Sequence, residues 1–541
     1  MTIRWAAPRT RVWFVASILA LVAACAEEEP FADAQVAAAP RDNPVLDRAE
    51  PTPLERVTRE QRTLPRPPAT DAAPTLQREA AQLTNQWLKR ADKHAGRALS
   101  SNEVRIAYLA CELETGRVLC SRATTESLRP ASNLKLMTTA AALLAFGPDG
   151  EIVTEVEGTT AIERGVLNGD LVIRGAGDPL WRPEAHGADI LTELARELAR
   201  MRLTRVTGDL VLDVTGFDDP GPGPAWPDAS QHWDDYCALS GAFSVNGGVL
   251  ETWVTPRASG QKAGVVVRPW PTGLESRFDV LTKRGSKVRV NVGATPQRVT
   301  VKGSLPPGKR PFWADFRHPD PVQLFGHVLE DRLRAMGVKV DGKLMQARGT
   351  PAGVKLAAMR SPVVELLPPI NRDSVNGVAD QLFFALGEYL LDDGSRAGAS
   401  KAVHEVLKAF GVDPKGCVQV DGSGLSRDNR VTVEHLVTLL RGVFAGDPGV
   451  ARLYRNSLAI GGMTGTLDDR LRGASTKGRV YAKTGWIGGT SALSGLTETM
   501  SGQQVVFSIL VSYPRKIAGM NSSVFKPFQD ELVTLLAEKT P

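Results

Sequence analysis

Apolar and polar positions along this chain follow two different periods, and the changes of period divide it. From Leu76, apolar residues recur at Ala80, Leu83, Trp87 and Leu88, the spacing of an amphipathic helix. Val104 to Cys120 reads instead as strand, turn, strand, with Thr115-Gly116 as the turn. A helix rich in alanine and leucine is predicted from Ser132 to Phe146, ended by Gly147-Pro148. Between about Glu157 and residue 355 the pattern breaks into short alternating segments, such as Leu171 to Arg174, Val206 to Val214, Val265 to Val267 and Val288 to Val292. Gly, Pro and Asp separate them, which predicts β-rich inserted domains. Helical spacing recurs at Pro321 to Met336, dominates Ser361 to Phe410, and returns across Val433 to Phe444. Strand-like runs occupy Arg479 to Lys483, Ser491 to Leu496 and Val505 to Ser512, and an amphipathic helix, Val524 to Ala537, comes last. No internal repeat is visible.

The first 25 residues obey neither period. Arg4, Arg9 and Arg11 precede an apolar run from Val12 to Ala24, which has the length of a signal-peptide core and is short for a membrane span. The run ends in Val22-Ala23-Ala24-Cys25, which resembles the lipobox of bacterial lipoproteins. That resemblance implies acylation of Cys25, a lipid anchor in a bacterial membrane and a periplasmic location, with Ala26 favouring the outer membrane. An ordinary signal peptide or an uncleaved anchor is the alternative. The following stretch carries Pro30, Pro40, Pro44, Pro51, Pro53, Pro65, Pro67, Pro68 and Pro74 without apolar periodicity, the composition of a disordered tether. Extended as polyproline, about 50 residues at roughly 3.1 Å each reach on the order of 150 Å. The expected organisation is a signal peptide at 1–25, a tether at 26–75, one domain in two parts at 76–156 and 356–541, and insertions at 157–355 between them.

Composition narrows the function classes. A chain of 541 residues exceeds what one core organises. Its 42% hydrophobic and 23% charged residues are ordinary for a soluble globular protein. A net charge of +5 over this length, with no basic run interleaved with aromatics, gives no case for nucleic acid as a partner. The histidines (His94, His186, His232, His318, His327, His404 and His435) are scattered without an HExxH or paired spacing, and no glycine loop suits a phosphate, so no metal or cofactor is expected. A two-residue turn at Thr115-Gly116 pairs Glu114 with Arg117, and counting outward sets Cys111 opposite Cys120 at a non-hydrogen-bonded site, where a disulfide can form. An exported protein permits that bond; two buried thiols are the alternative. Cys237 and Cys417 either pair or stay free.

Three short elements carry candidate chemistry: Ser132-Asn-Leu-Lys135, Ser374-Val-Asn376 and Lys483-Thr484-Gly485. Each alone is weak, since Ser259 to Lys262 and Ser523 to Lys526 repeat the first pattern, and Ser100 to Asn102 and Ser244 to Asn246 the second. Ser132 follows Pro130-Ala131 at the start of the strong helix. One turn carries Lys135 onto the same face, within reach of the hydroxyl, and the free N–H groups of a helix N-terminus can stabilise an oxyanion. Taken alone, Ser132 reads better as a plain helix-capping serine than as a nucleophile. Lysine acts as a base only when neutral, and burial or a second cation lowers its pKa; Lys483, from the strand ending in Lys-Thr-Gly, is the candidate cation. Gly485 lets a ligand backbone approach that strand. Ser374 and Asn376, at a loop-to-helix transition, can both point into a cleft.

The order of the three elements resembles the penicillin-recognising serine peptidases, and in particular the low-molecular-mass D-Ala-D-Ala carboxypeptidase/endopeptidase family with a large insertion between the first two motifs. Arg129 to Leu144 is similar to the family's nucleophile segment, Gly175 to Pro179 and Ser240 to Asn246 to its insertion landmarks, and Ser361-Pro362, Asn371 to Asn376 and Ala379 to Leu382 to its second-motif helix. Asp421-Gly-Ser-Gly-Leu-Ser-Arg-Asp-Asn-Arg430, Gly465-Thr-Leu467 and Ala482 to Gly485 extend the likeness, which runs from about 76 to 535. It implies an α/β transpeptidase/β-lactamase-like domain, an antiparallel sheet flanked by helices, with inserted β-rich domains. It also implies a serine peptidase acting on peptidoglycan peptides, with β-lactams as inhibitors. In that mechanism Lys135 takes the proton of Ser132, the N–H groups of Ser132 and Trp486 form the oxyanion hole, and Ser374 relays a proton to the leaving amine. Asn376 binds the substrate amide, and Lys483 and Thr484 meet the terminal carboxylate. Two positions depart from the family: Trp486 stands where Thr or Ser is usual, and Val375 where Asp is common. A silent wall-binding lipoprotein and a β-lactamase or esterase on the same nucleophile are the rival readings.

Overall fold

The computed structural model describes residues 52–55, 73–181, 188–308 and 310–540. The expected signal peptide, Cys25 and nearly all of the tether lie outside the described residues.

The elements that build the site, in chain order, are α1 (Pro74–Ala95), β1 (Arg105–Glu112), β2 (Val118–Arg122), α2 (Lys135–Phe146), α3 (Asn376–Leu391), α4 (Val433–Phe444), β3 (Val480–Ile487), β4 (Thr490–Glu498), β5 (Gln504–Ser512) and α5 (Lys526–Lys539). The strands and the short Ala459–Ile460 form one antiparallel sheet, in the order Ala459–Ile460, β3, β4, β5, β1, β2. Its central strands are covered on both faces, which is why β5 reads as the nearly unbroken apolar run Val505 to Val511. Phe507, Ile509 and Val511 face a cluster with Trp87 of α1 and Phe528 and Leu532 of α5, whereas Val506 and Leu510 join a cluster with Leu136 of α2 and Leu436 and Leu440 of α4. Each such side chain, fully buried, contributes roughly 1.5–3 kcal/mol. Pro74 opens α1 and Gly96 ends it in the left-handed region, φ 69°. Helix α2 is buried from Lys135 to Leu143, so its apolar composition has no polar stripe, and Lys135 is the one charge it carries inside.

The insertion is β-rich and, among the described residues, carries two α-helices, Pro321–Ala335 where helical spacing predicts one and Ala188–Arg200 where none is predicted. Its five-stranded sheet runs Leu344–Ala347, Leu210–Asp213, Leu171–Arg174, Glu151–Gly158, Val354–Pro362, and the helices Ala188–Arg200 and Pro321–Ala335 pack against each other. Glu151–Gly158 and Val354–Pro362 pair with one another, so the expected boundaries at 156/157 and 355/356 both fall inside strands. Among the described residues, three smaller sheets complete it, one of Lys339–Val340, Arg205–Val206, Val166–Leu167 and Ile162–Glu163, one on Val249–Thr255, and one of Glu275–Thr282, Arg298–Leu305 and Arg289–Thr295.

The expected Cys111–Cys120 disulfide is not formed; both thiols are free and buried. The Glu112 carbonyl accepts the Gly116 N–H at 3.1 Å and the Glu112 N–H reaches the Arg117 carbonyl at 3.0 Å, so the turn holds four residues rather than two. A bulge then pairs Ala110 with Cys120 and Cys111 with Val118. Cys111 therefore faces the α2 and α4 side of the sheet and Cys120 the α1 and α5 side. Burial pushes both thiols up to about 12, where they are inert. Both cysteines are expected to resist alkylation in the folded protein and to alkylate in denaturant without reductant. A melting temperature that falls when reductant is added would contradict this.

Candidate active site

Ser132 lies in a 3₁₀ turn, Ala131–Leu134, and α2 begins at Lys135, one turn later than the start at Ser132 predicted from sequence. Ala131 sits in the left-handed region, φ 46°, and the Asn133 N–H closes on the Pro130 carbonyl at 3.2 Å. Two glycines clamp this turn. A Cβ on Gly424 would lie 1.9 Å from the Ala131 carbonyl oxygen, and one on Gly485 would lie 2.8 Å from the Pro130 carbonyl oxygen. Gly485 therefore serves close approach of the protein's own backbone as well as of a ligand. Asn133 Nδ2 donates to Ser494 Oγ at 2.6 Å, and Ser494 Oγ donates to Ser508 Oγ at 2.8 Å, which pins the turn to β4 and β5.

Lys135 is fully buried. Its Nζ lies 3.1 Å from Ser132 Oγ, 2.6 Å from Asn376 Oδ1 and 2.7 Å from the Ser423 carbonyl. A neutral amine has two N–H donors and one lone pair. The amide and peptide oxygens can only accept, so they take the two donors and leave the lone pair to the serine hydroxyl. Burial pushes the Lys135 pKa down to about 8, against the charges of Asp380 and Asp421, which raise it. Of the two causes expected from sequence, burial does this work, and the Lys483 charge is not among the causes. Asp380, one turn along α3 from Asn376, accepts the N–H groups of Gly422 at 2.8 Å and Ser423 at 2.7 Å through Oδ1. Burial and the neighbouring Asp421 charge raise its pKa to about 7. Asp421 in turn accepts the N–H groups of Gly424 at 2.8 Å and Ser426 at 2.6 Å, so the two carboxylates shape the loop that aims the Ser423 carbonyl at Lys135.

The second and third motifs meet each other. Ser374 is held in the left-handed region, φ 64°, a strained backbone for a residue with a side chain. Its Oγ accepts from Lys483 Nζ at 2.9 Å, and Lys483 Nζ also donates to the Thr484 carbonyl at 3.0 Å. Thr484 Oγ1 donates to Thr466 Oγ1 at 2.8 Å. Asn376 Nδ2 donates to the Tyr236 carbonyl at 2.8 Å, so the insertion reaches the site directly. Contacts thus run from Ser132 through Lys135 to Asn376, and from Ser374, two residues earlier, to Lys483 and Thr484.

Trp486 stands opposite Ser491, one step beyond the Ile487–Thr490 pair that closes the turn between β3 and β4. Alternation along the ladder aims its N–H away from β4, toward an edge that Ala459–Ile460 covers only as far as Tyr481 and Ala482. Trp486 is 63% exposed, with its indole Nε1 donating to the Tyr513 hydroxyl at 3.1 Å. The competing patterns lie elsewhere. Ser259 Oγ accepts the Arg284 N–H at 3.1 Å, Lys262 pairs with Asp279 at 3.3 Å, and Asn246 Nδ2 donates to the Val249 carbonyl at 3.0 Å. Asp380, Thr466 and the Tyr236 carbonyl went unassigned from sequence. Asp380 and Thr466 lie in segments already noted for their likeness, Ala379 to Leu382 and Gly465 to Leu467, and Asp380 is also a charge inside the apolar stripe Val378, Ala379, Leu382, Phe383, whereas a backbone carbonyl leaves no signal.

Residues 92–539 match the model of the D-Ala-D-Ala carboxypeptidase 3 (S13) family. The D-alanyl-D-alanine carboxypeptidase of Actinomadura sp. (strain R39) is 34% identical over 414 residues, spanning 73% of this chain and 75% of that protein. D-alanyl-D-alanine carboxypeptidase DacB of Haemophilus influenzae is 25% identical over 421 residues, 74% of this chain and 84% of that one. Among solved structures, penicillin binding protein 4 (dacB) from Haemophilus influenzae aligns with a TM-score of 0.70 at 22% identity, over 83% of this chain and 99% of that one, a likeness of fold.

Proposed function

The chain belongs to the D-Ala-D-Ala carboxypeptidase 3 (S13) family and is a serine peptidase of D-Ala-D-Ala stem peptides, and on that premise we propose that Ser132 is the residue it acylates. The neutral Lys135 amine takes the Ser132 proton as Oγ attacks the carbonyl carbon between the two D-alanines. As the first turn of a helical segment, Ser132 has no earlier carbonyl in that turn for its N–H, and together with the outward Trp486 N–H it receives the developing oxyanion. Lys483 and Thr484 take the terminal carboxylate. Ser374 gives its own hydroxyl proton to the leaving amine and takes one from Lys483, whose Nζ already donates to it, while Lys135 keeps the Ser132 proton until Oγ leaves in deacylation. Water then frees the enzyme. A β-lactam presents the same carbonyl next to a carboxylate, and its leaving group stays attached, so it acylates Ser132 and slows hydrolysis.

The observation that supports this reading best is the Lys135 amine, buried with two acceptors and the Ser132 hydroxyl around it. Incubation with a pentapeptide ending in D-Ala-D-Ala is expected to release D-alanine and to be blocked by penicillin. Penicillin labelling without D-alanine release would leave a wall-binding protein, and prompt loss of the label would favour a β-lactamase.

The usual hydroxyl after Lys-Thr-Gly helps hold the substrate carboxylate, and the exposed Trp486 indole replaces it. Trp486→Thr is expected to lower KM for the pentapeptide several-fold while kcat stays within about threefold, because the oxyanion donor is backbone. An unchanged KM would show that Lys483 and Thr484 suffice. We also propose that Cys25 carries the lipid anchor. Metabolic labelling with a radioactive fatty acid is expected to mark the protein and to fail on Cys25→Ser.

A further inference from the structure

The insertion carries a strongly charged surface that the reaction does not use. Residues 256–305 hold ten Lys and Arg against two acids, Glu275 and Asp279, a net charge of +8 in a chain of net +5, so the rest of the chain sums to −3. All ten basic side chains are exposed, and both acids are already paired, Glu275 with Arg298 at 2.6 Å and Asp279 with Lys262 at 3.3 Å. In the three-stranded sheet, Val280, Val290, Val299, Val301 and Leu305 are buried and fix the inner face. Register then places Arg277 beside Thr300, Lys302 between Asp279 and Asn291, and Arg289 beside Ser304 on the outer face. The loop joining Glu275–Thr282 to Arg289–Thr295 adds Lys283, Arg284 and Lys287 at the Ser304 end of the sheet. Among the described residues, none of these six cations has an ion pair.

Strands are about 4.8 Å apart and alternate residues along a strand about 6.8 Å, so neighbouring cations on this face fall within a Debye length of one another. They repel, and a multiply charged anion lying across them relieves that repulsion. The outer face is otherwise polar, with Asn291, Thr295, Thr300 and Ser304, and Leu281 is the only large apolar side chain it exposes among the described residues. The face thus lacks the apolar groups that strengthen binding to a bilayer by inserting into it, and a highly charged, hydrated polymer is the occupant its polar surface suits. Resting on the function given above, we propose that it is an exosite for the polymeric substrate. Every stem peptide that ends in D-Ala-D-Ala ends in a carboxylate, and peptidoglycan repeats that anion along each strand. Cations spread over one sheet hold neighbouring peptides while one peptide is cut, and each weak contact raises the local concentration of the next.

The test uses the full chain and a variant with R277Q, K283Q, R284Q, K287Q, R289Q and K302Q. Co-sedimentation with purified, lipid-free peptidoglycan sacculi is expected to weaken about tenfold or more in the variant, and in the wild type at high salt. The kcat/KM on a soluble pentapeptide is expected to stay within about twofold. The triple variant K283Q/R284Q/K287Q, at one end of the face, covers the case in which the larger set fails to fold, and is expected to show an intermediate loss. Equal sedimentation of variant and wild type would overturn the exosite. So would binding to phosphatidylglycerol vesicles but not to sacculi, which would make the partner a membrane. If neither protein cleaves the soluble peptide, the assigned activity fails, and sedimentation still judges the face.

Discussion

Ser132→Ala is expected to fold normally and to lose about 10⁴–10⁶ in kcat/KM for D-alanine release, with no penicillin adduct detectable by mass. The fold should survive because the turn is held by Asn133 on Ser494 and by the two glycines packed on it, and the Ser132 hydroxyl hydrogen-bonds only to Lys135 among the described residues. The chemistry should not survive, because the other hydroxyls nearby are committed. Ser374 Oγ accepts from Lys483, and Ser423 Oγ accepts the Leu425 N–H at 3.3 Å. Neither meets the Lys135 amine, so neither can be deprotonated in its place. A variant that still forms the adduct would move the nucleophile elsewhere.

The three motifs were legible because each is short and local: one helical turn joins Ser132 to Lys135, and two residues join Ser374 to Asn376. Order along the chain then selected them from their copies. Side chains that act at a distance were harder to read. Asn376 was assigned to substrate, yet its Oδ1 holds Lys135 and its Nδ2 holds the Tyr236 carbonyl, contacts made only once residues 140 and 241 positions away are folded beside it. The lowering of the Lys135 pKa was foreseen, with burial and the Lys483 charge both named as causes; that burial leads depends on packing around α2 by α3 and α4, which no local pattern reveals. The cysteine pairing failed for a related reason. A hairpin count assumes a turn length, and a four-residue turn with a bulge shifts the register, after which every side chain changes face. The sheet itself was legible in its apolar runs, whereas the pairing of Glu151–Gly158 with Val354–Pro362 links segments about 200 residues apart, which no local period reveals.

Lys135→Met is expected to lower the rate of acylation by about 10³–10⁴, at the upper end of what a general base supplies. Methionine fills the buried channel of the lysine chain without its charge, so loss of packing is small. It leaves Asn376 Oδ1 and the Ser423 carbonyl without their donor, at a cost of about 1–3 kcal/mol each, partly offset by removing a desolvated cation. The pH profile separates base catalysis from this structural loss. The reactive form is the neutral amine, and burial brings its pKa from the usual lysine range down to about 8. In the wild type kcat/KM should therefore rise with pH through about 8 and then level, and at pH 6 only about 1% of the amine is neutral. Asp380 raises the Lys135 pKa, so Asp380→Asn should move the rising limb to lower pH, while its amide oxygen can still accept from Gly422 and Ser423. The Lys135→Met variant should lose that limb altogether. A limb that stays in place in both variants would assign the base to another group, with Lys483 the next to replace.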